Sequence, residues 1–355
     1  MNLRLVVRLL GIVAILIAAT MAFSLPFAVP SWNGSQAAWA DRMDVPDAPA
    51  PDLNEPLAEV VGEETEAEAH PRPTEPPQFE TRGFWSLVAS LALSLLVGAI
   101  CFSWGRGGAR LFRKEAMAVV GLIWVLATVL GALPYLLSGT ERAPGVKMGI
   151  ADALFESQSG FSTTGATVIT DLENWQGVPR CILFWRSTTH LLGGLGIIVL
   201  FVVILGQGSA GKALMRAEMT GPSQGTAQAR MQQTAWLLFL VYAGLNVTLT
   251  GLLLLEGLTV FDALCHAFGT MATGGFSTYN ASLGHFATVP GLNGPLIEMT
   301  VMVFMAAAGT NFMLLYFLMI GQPGKLLKDV EWRTYVAVLV GVTLLVMAFG
   351  VYHGD

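Results

Sequence analysis

Charge is scarce in this chain: Asp, Glu, Lys and Arg make up 12% of its 355 residues, against roughly a quarter in soluble domains. So few charges cannot keep a globular surface of this size in water, and 54% of the residues are apolar. A soluble fold is therefore excluded. Cysteine is scarce as well. Cys101, Cys181 and Cys265 lie in or beside apolar stretches without metal-like spacing, which excludes a disulfide framework or a zinc site and leaves them as packing residues. No glycine-rich nucleotide motif and no soluble domain is legible, so the chain is expected to carry no cofactor and no nucleic-acid partner.

What the chain has is long apolar windows, at about 6 to 30, 84 to 104, 116 to 138, 181 to 206, 234 to 256, 295 to 320 and 334 to 352. Each can cross a hydrocarbon layer of ~30 Å as a helix. The expectation is an all-α polytopic membrane protein with seven spans and lipid as its surroundings. Basic residues gather before the first span (Arg4, Arg8) and after every second one: Arg106, Arg110, Arg113 and Lys114, then Lys212, Arg216 and Arg230, then Lys325, Lys328 and Arg333. The positive-inside rule puts those clusters and the N-terminus in the cytoplasm. For the first window a cleaved signal peptide is the alternative, with Ala38-Trp39-Ala40 as a small-x-small site, but the apolar run exceeds a signal core of ~7 to 15 residues.

Acids crowd into an outer loop over 33 to 82, rich in Pro, Ala, Glu and Asp. It cannot bury enough apolar area to fold, so it is expected to be a disordered, solvated spacer.

The chain also repeats itself. "DALFESQSGFSTTGATV" (152 to 168) aligns without a gap with "DALCHAFGTMATGGFST" (262 to 278), 110 residues later. Each copy lies between two spans, so the unit is helix, half-inserted pore loop, helix, repeated twice. The expected organisation is an N-terminal helix pair (1–115), a first repeat (116–207), a cytoplasmic loop (208–233), a second repeat (234–322) and the start of a third (323–355). Asp152 and Asp262 suit the N-terminal ends of short pore helices, where a carboxylate meets free N–H groups and the positive dipole end. Such a helix is too short to span. It re-enters from outside, ends at the Gly and Thr run, and points its negative end inward.

Non-helical backbone at membrane depth is tolerated only where it is buried in protein or lines a watery cavity. Ringed carbonyl oxygens there can replace a cation's hydration shell, with Gly165 and Gly275 supplying backbone angles that other residues resist. The competing reading is close helix packing by small residues. Packing suffices for "HLLGGLGII" (190 to 198) but not for an Asp-led, Gly-ended pattern that occurs twice.

"ADALFESQSGFSTTGAT", "HLLGGLGIIVL", "RAEMTGP" (216 to 222), "FDALCHAFGTMATGGFST" and "AGTNF" (308 to 312), in this order, resemble the Trk/Ktr/HKT superfamily of potassium transporters, and most of all its bacterial Trk membrane subunits. The resemblance implies potassium held by backbone carbonyls of Thr163, Thr164 and Gly165 in the first loop and of Thr273, Gly274 and Gly275 in the second. It also implies that a Gly in the first filter, where sodium-favouring plant relatives have Ser, favours potassium. A bacterial inner-membrane location and a cytosolic nucleotide-binding regulatory subunit follow from the same resemblance.

The chain departs from the family in one respect. Members build a pore from four repeats, and two are present here. Half a carbonyl ring cannot replace a hydration shell, so completion is expected from missing repeats of a longer protein, or from a second copy or a partner chain. The alternative is a truncated fragment or assembly subunit that conducts nothing.

Arg186 and His190, one helical turn apart, are expected to pair with Glu156 and brace the filter. Glu256 and Glu298 are expected at the outer interface. A remoter reading, an intramembrane serine hydrolase using Ser159 or Ser162 with His190 or His266, requires a hydroxyl within reach of an imidazole.

Overall fold

The computed structural model describes residues 3–29, 79–105, 113–207 and 224–353. Helices cover all seven apolar windows. Helix α1 (Leu3–Ser24) runs into a short 3-10 turn (Leu25–Ala28) because Pro26 cannot supply the N–H that would continue it. The first span therefore stops short of residue 30. Helix α2 (Thr81–Trp104) packs against α1 through glycines: a Cβ on Gly11 would meet the Gly98 carbonyl at 2.8 Å, and one on Gly98 the Gly11 carbonyl at 3.0 Å. Close backbone approach of this kind is what small residues permit between membrane helices.

Next come α3 (Arg113–Ser138), a hairpin of β1 (Glu141–Ala143) and β2 (Val146–Lys147), the short α4 (Ile150–Phe161) and α5 (Arg180–Gln207). The second unit has α6 (Gln224–Leu255), the short α7 (Val260–Met271), a 3-10 turn (Ser282–Ala287) and α8 (Gly294–Ala308). After it follow α9 (Phe312–Met319), α10 (Pro323–Lys328) and α11 (Val330–His353). Five described helices are long and apolar enough to cross a membrane, and α8 with α9 makes a sixth. The 28-residue α5 covers the remaining window.

The sequence predicts one span over 295 to 320, and here the structure differs. α8 and α9 meet at 111°. No proline marks the break; hydrogen bonding does. The carbonyl of Ala306 accepts from the hydroxyls of both Thr310 and Tyr335, and Asn311 Oδ1 accepts the N–H of Met313 to start α9. The carbonyl freed by the bend is thus satisfied by α11 and by the bend itself.

Aromatic residues join the first unit to the N-terminal pair and to the second. Phe27 stacks on Phe184 at 3.9 Å, and Phe184 meets Phe261 and Phe268 of the second unit. Trp185 donates its Nε1–H to the Gly131 carbonyl of α3. Cys181 and Cys265 are buried, Cys101 is half-buried and all three are free. Most of the acidic loop, Ala38-Trp39-Ala40, "RAEMTGP" and the basic residues Arg106, Arg110, Lys212 and Arg216 lie outside the described residues.

Candidate ion-binding site

The two short helices have the same length and end alike. α4 and α7 each have 12 residues, and each gives way to a loop whose amides fold back onto the helix's last carbonyls. Thr163 donates to Gly160 and Thr164 to Ser159, while Thr273 donates to Thr270 and Gly274 to Gly269. The offsets are the same in both. So are the dihedral angles: Thr163 and Thr273 have φ of 55°, Gly165 77° and Gly275 80°. Left-handed backbone is uncommon for a β-branched residue. Its occurrence at matching positions indicates that one loop conformation has been built twice.

This conformation spends the amides on the helix and leaves the carbonyls. Among the described residues, no hydrogen bond ends on the carbonyl oxygen of Thr163, Thr164, Gly165, Thr273, Gly274 or Gly275. Thr164, Thr273 and Gly275 are exposed and Thr163, Gly165 and Gly274 half-buried, so these six carbonyls stay within reach of an ion or water. Beside the negative ends of two helices they form a surface suited to a cation.

The two loops touch. A Cβ on Gly165 would collide with the Gly274 carbonyl, while one on Gly275 would meet open space. Gly193 of α5 fits against the Phe161 carbonyl and the Thr163 side chain, and Gly194 against the Tyr242 hydroxyl. The small residues of "HLLGGLGII" therefore do what the packing reading expects of them, and in doing so bring α5 against the first loop.

Behind the loops lies a buried ion pair. Arg186 Nε is 2.6 Å from Glu156 Oε1, with side chains 2% and 0% exposed. Such a pair is tolerable only where further hydrogen bonds support both partners, and here each has them. Glu156 accepts from the Thr167 hydroxyl and the Val168 amide, both just past the first loop. Arg186 Nη1 donates to the Ser277 carbonyl, just past the second. One guanidinium thus holds both loops.

His190 does not pair with Glu156. Its ring stacks on Phe276 at 4.0 Å, and the Arg186 guanidinium lies 3.4 Å from the centre of the same ring. Two groups cannot share one ring face at these distances, so Phe276 is held between them, separating His190 from the carboxylate. The imidazole lies against Gly274, and its nitrogens have no hydrogen-bond partner among the described residues.

The second loop has supports that the sequence did not reveal. His266 aligns with Glu156. Its Nδ1–H donates to the Asp262 carbonyl, leaving Nε2 to accept from the Ser277 hydroxyl at 3.0 Å. Asp152 accepts the Gly149 amide at the start of α4, as expected of a cap. Asp262 does more, because its buried carboxylate also accepts from the hydroxyls of Thr278 and Tyr279. Identical residues in aligned motifs gave no sign of this difference. The signal was downstream, in hydroxyls at 278 and 279. Ser159 and Ser162 donate to the carbonyls of Ala166 and Gln158. The hydroxyl that meets an imidazole belongs to Ser277, which the hydrolase reading did not name.

Two further residues sit at the edge of the site. Glu80, ahead of α2, accepts the amides of Arg180 and Cys181 and so caps α5 from a hundred residues away. Burial pushes its carboxyl above the usual range, against the opposing pull of those two amides. Glu256 accepts from the Thr300 hydroxyl, and Glu298 is exposed.

The TrkH family profile, described as a cation transport protein, matches residues 92–352. The chain is 38% identical over 242 residues to the Trk system potassium uptake protein TrkH of Escherichia coli K12, an alignment covering 66% of this chain and 47% of that protein. It is 32% identical over 259 residues to TrkG of the same organism, covering 72% and 50%. The crystal structure of the potassium transporter TrkH from Vibrio parahaemolyticus superposes with a TM-score of 0.67 at 25% identity, covering 99% of this chain and 60% of that one. The chain spans about half the length of the relatives it matches.

Proposed function

This chain belongs to the TrkH family of cation transport proteins, and from that premise we propose that it takes part in potassium uptake across a bacterial inner membrane. The carbonyls of Thr163, Thr164, Gly165, Thr273, Gly274 and Gly275 supply two of the four sides of the filter. Asp152 and Asp262 cap the pore helices. Arg186 and Glu156 brace the loops, and His190 positions the second loop through Phe276 and Gly274. The remaining two sides come from further repeats or a second copy, with a cytosolic regulatory subunit of Trk type on the inner face. The N-terminus is cytoplasmic.

One observation supports this reading above the others. Two loops 110 residues apart share the left-handed angles at Thr163 and Thr273 and leave the same three carbonyls without hydrogen-bond partners among the described residues. Packing alone gives no reason to conserve unpartnered carbonyls in both.

The test is growth rescue and rubidium uptake in potassium-uptake-deficient cells expressing residues 1 to 355, beside a Gly165→Asp control. Uptake that the control loses is the expected result. No uptake despite verified insertion would favour a non-conducting piece or assembly subunit.

A further inference from the structure

Beyond the filter, the two outer loops are joined at one residue, Asn280, that no expectation singled out. Asn280, two residues past Thr278, makes three hydrogen bonds to the other repeat. Its Oδ1 accepts the Leu172 amide at 2.8 Å, its Nδ2 donates to Asp171 Oδ1 at 3.0 Å, and its own amide donates to Glu173 Oε1 at 3.1 Å. Only one orientation of the side-chain amide satisfies the first two together, since the carbonyl must face an N–H and the NH₂ a carboxylate.

The aligned position in the first repeat behaves differently. Thr170, 110 residues before Asn280, turns back to its own repeat, its amide and hydroxyl both donating to the Arg142 carbonyl of the β-hairpin. The first loop is thus anchored to the hairpin, and the second loop to the first. Asp171 Oδ1 also accepts the Glu173 amide, which fixes the turn that Asn280 reads.

We propose that Asn280 is a positioning residue for the filter, latching the outer end of the second loop onto that of the first so that the carbonyl sets keep a fixed relation. This rests on the filter reading above. Arg186 joins the loops from behind, through Glu156 and the Ser277 carbonyl. Asn280 joins them from outside, three residues past Ser277, whereas the Gly165 to Gly274 contact is made three residues before Ser277. Two of the three bonds have carboxylate acceptors, Asp171 and Glu173, which makes them stronger than neutral ones.

The test is amide hydrogen exchange of the full chain in lipid nanodiscs, in choline chloride so that the outcome does not depend on ion binding. Asn280→Ala removes the Leu172 partner, so faster exchange at Leu172 itself is trivial. The deciding positions are Val168 and Ile169 in the first repeat and Gly275 in the second, expected to exchange about tenfold faster, the effect of losing one charge-assisted hydrogen bond. Asn280→Asp, which sets a third carboxylate against Asp171 and Glu173, is expected to do at least as much. Acceleration confined to Leu172 in both variants overturns the latch. A separate comparison of the parent chain in potassium and sodium chloride tests the filter reading. Its failure would show as equal exchange in both salts while the choline result still decides the latch.

Discussion

The two loops have one backbone and two kinds of support. The first is held by charge: Glu156 reaches Thr167 and Val168, and Arg186 neutralises it. The second is held without an ion pair of its own: Phe276 lies between Arg186 and His190, His266 receives the Ser277 hydroxyl, and Asp262 receives the hydroxyls of Thr278 and Tyr279. At aligned positions the pairs are Glu156 with His266 and Ala166 with Phe276. The dihedral angles nevertheless agree to within 3° at Gly165 and Gly275, 77° and 80°. What has been retained is the placement of the carbonyls, and the means of holding them has been free to change. A constraint on carbonyl placement is what ion coordination imposes and general packing does not.

The largest effect is expected where the two kinds of support meet. Arg186→Gln leaves Glu156 buried without its partner and frees the Ser277 carbonyl, at a cost of about 3–5 kcal/mol. Thermal unfolding monitored by tryptophan fluorescence should show it. Replacing both partners by apolar residues, Arg186→Met with Glu156→Leu, should cost less than Arg186→Gln alone. A double variant as damaged as the single one would mean that the pair does more than neutralise itself.

Phe276→Ala should cost up to about 3–5 kcal/mol, as a buried ring removed from a packed site does. Its exchange signature is expected to stay within 273–279, whereas Arg186→Gln opens both loops. Equal spread in the two variants would erase the distinction between a shared brace and a local one.

The glycines sharpen the comparison further. Gly275→Ala meets open space and bears only left-handed strain, about 1–2 kcal/mol. Gly165→Ala adds a clash with the Gly274 carbonyl, worth about 1–3 kcal/mol more. Equal melting points for the two would contradict the contact between loops.

The smallest effect concerns Glu80. Its carboxyl pKa lies above the ordinary value because of burial, so the folded state holds the proton more tightly than the unfolded one. The stability this contributes is full below the unfolded pKa and is lost as pH rises through the folded one. Melting points of the parent and of Glu80→Gln, measured from neutral pH to below the ordinary carboxylate range, should diverge, with the parent gaining on acidification. Parallel curves would remove the inference.

Much of the fold was legible because lipid imposes its own period: apolar windows of about twenty residues mark helices whatever they pack against. The repeat was legible because Asp152 and Asp262, Thr163 and Thr273, and Gly165 and Gly275 are matching residues at equal spacing. The bend between α8 and α9 was not, since it depends on Thr310 and on Tyr335 from another helix sharing the Ala306 carbonyl. The Arg186 to Glu156 pair could be anticipated from two costly residues near one loop. The role of Phe276 could not, because an aromatic residue in an apolar chain carries no sign of what will lie on its two faces. Asn280 and Glu80 escaped for a related reason, since their partners lie about a hundred residues away and no local pattern announces them.

The most direct test of the central claim, that both loops hold potassium through their backbone carbonyls, is amide exchange at residues 163–165 and 273–275 of the chain in nanodiscs at matched potassium and sodium concentrations. Potassium is expected to slow exchange in both loops together, and Gly165→Ala to abolish the effect in both. Identical exchange in the two salts, or slowing in one loop alone, would contradict the account.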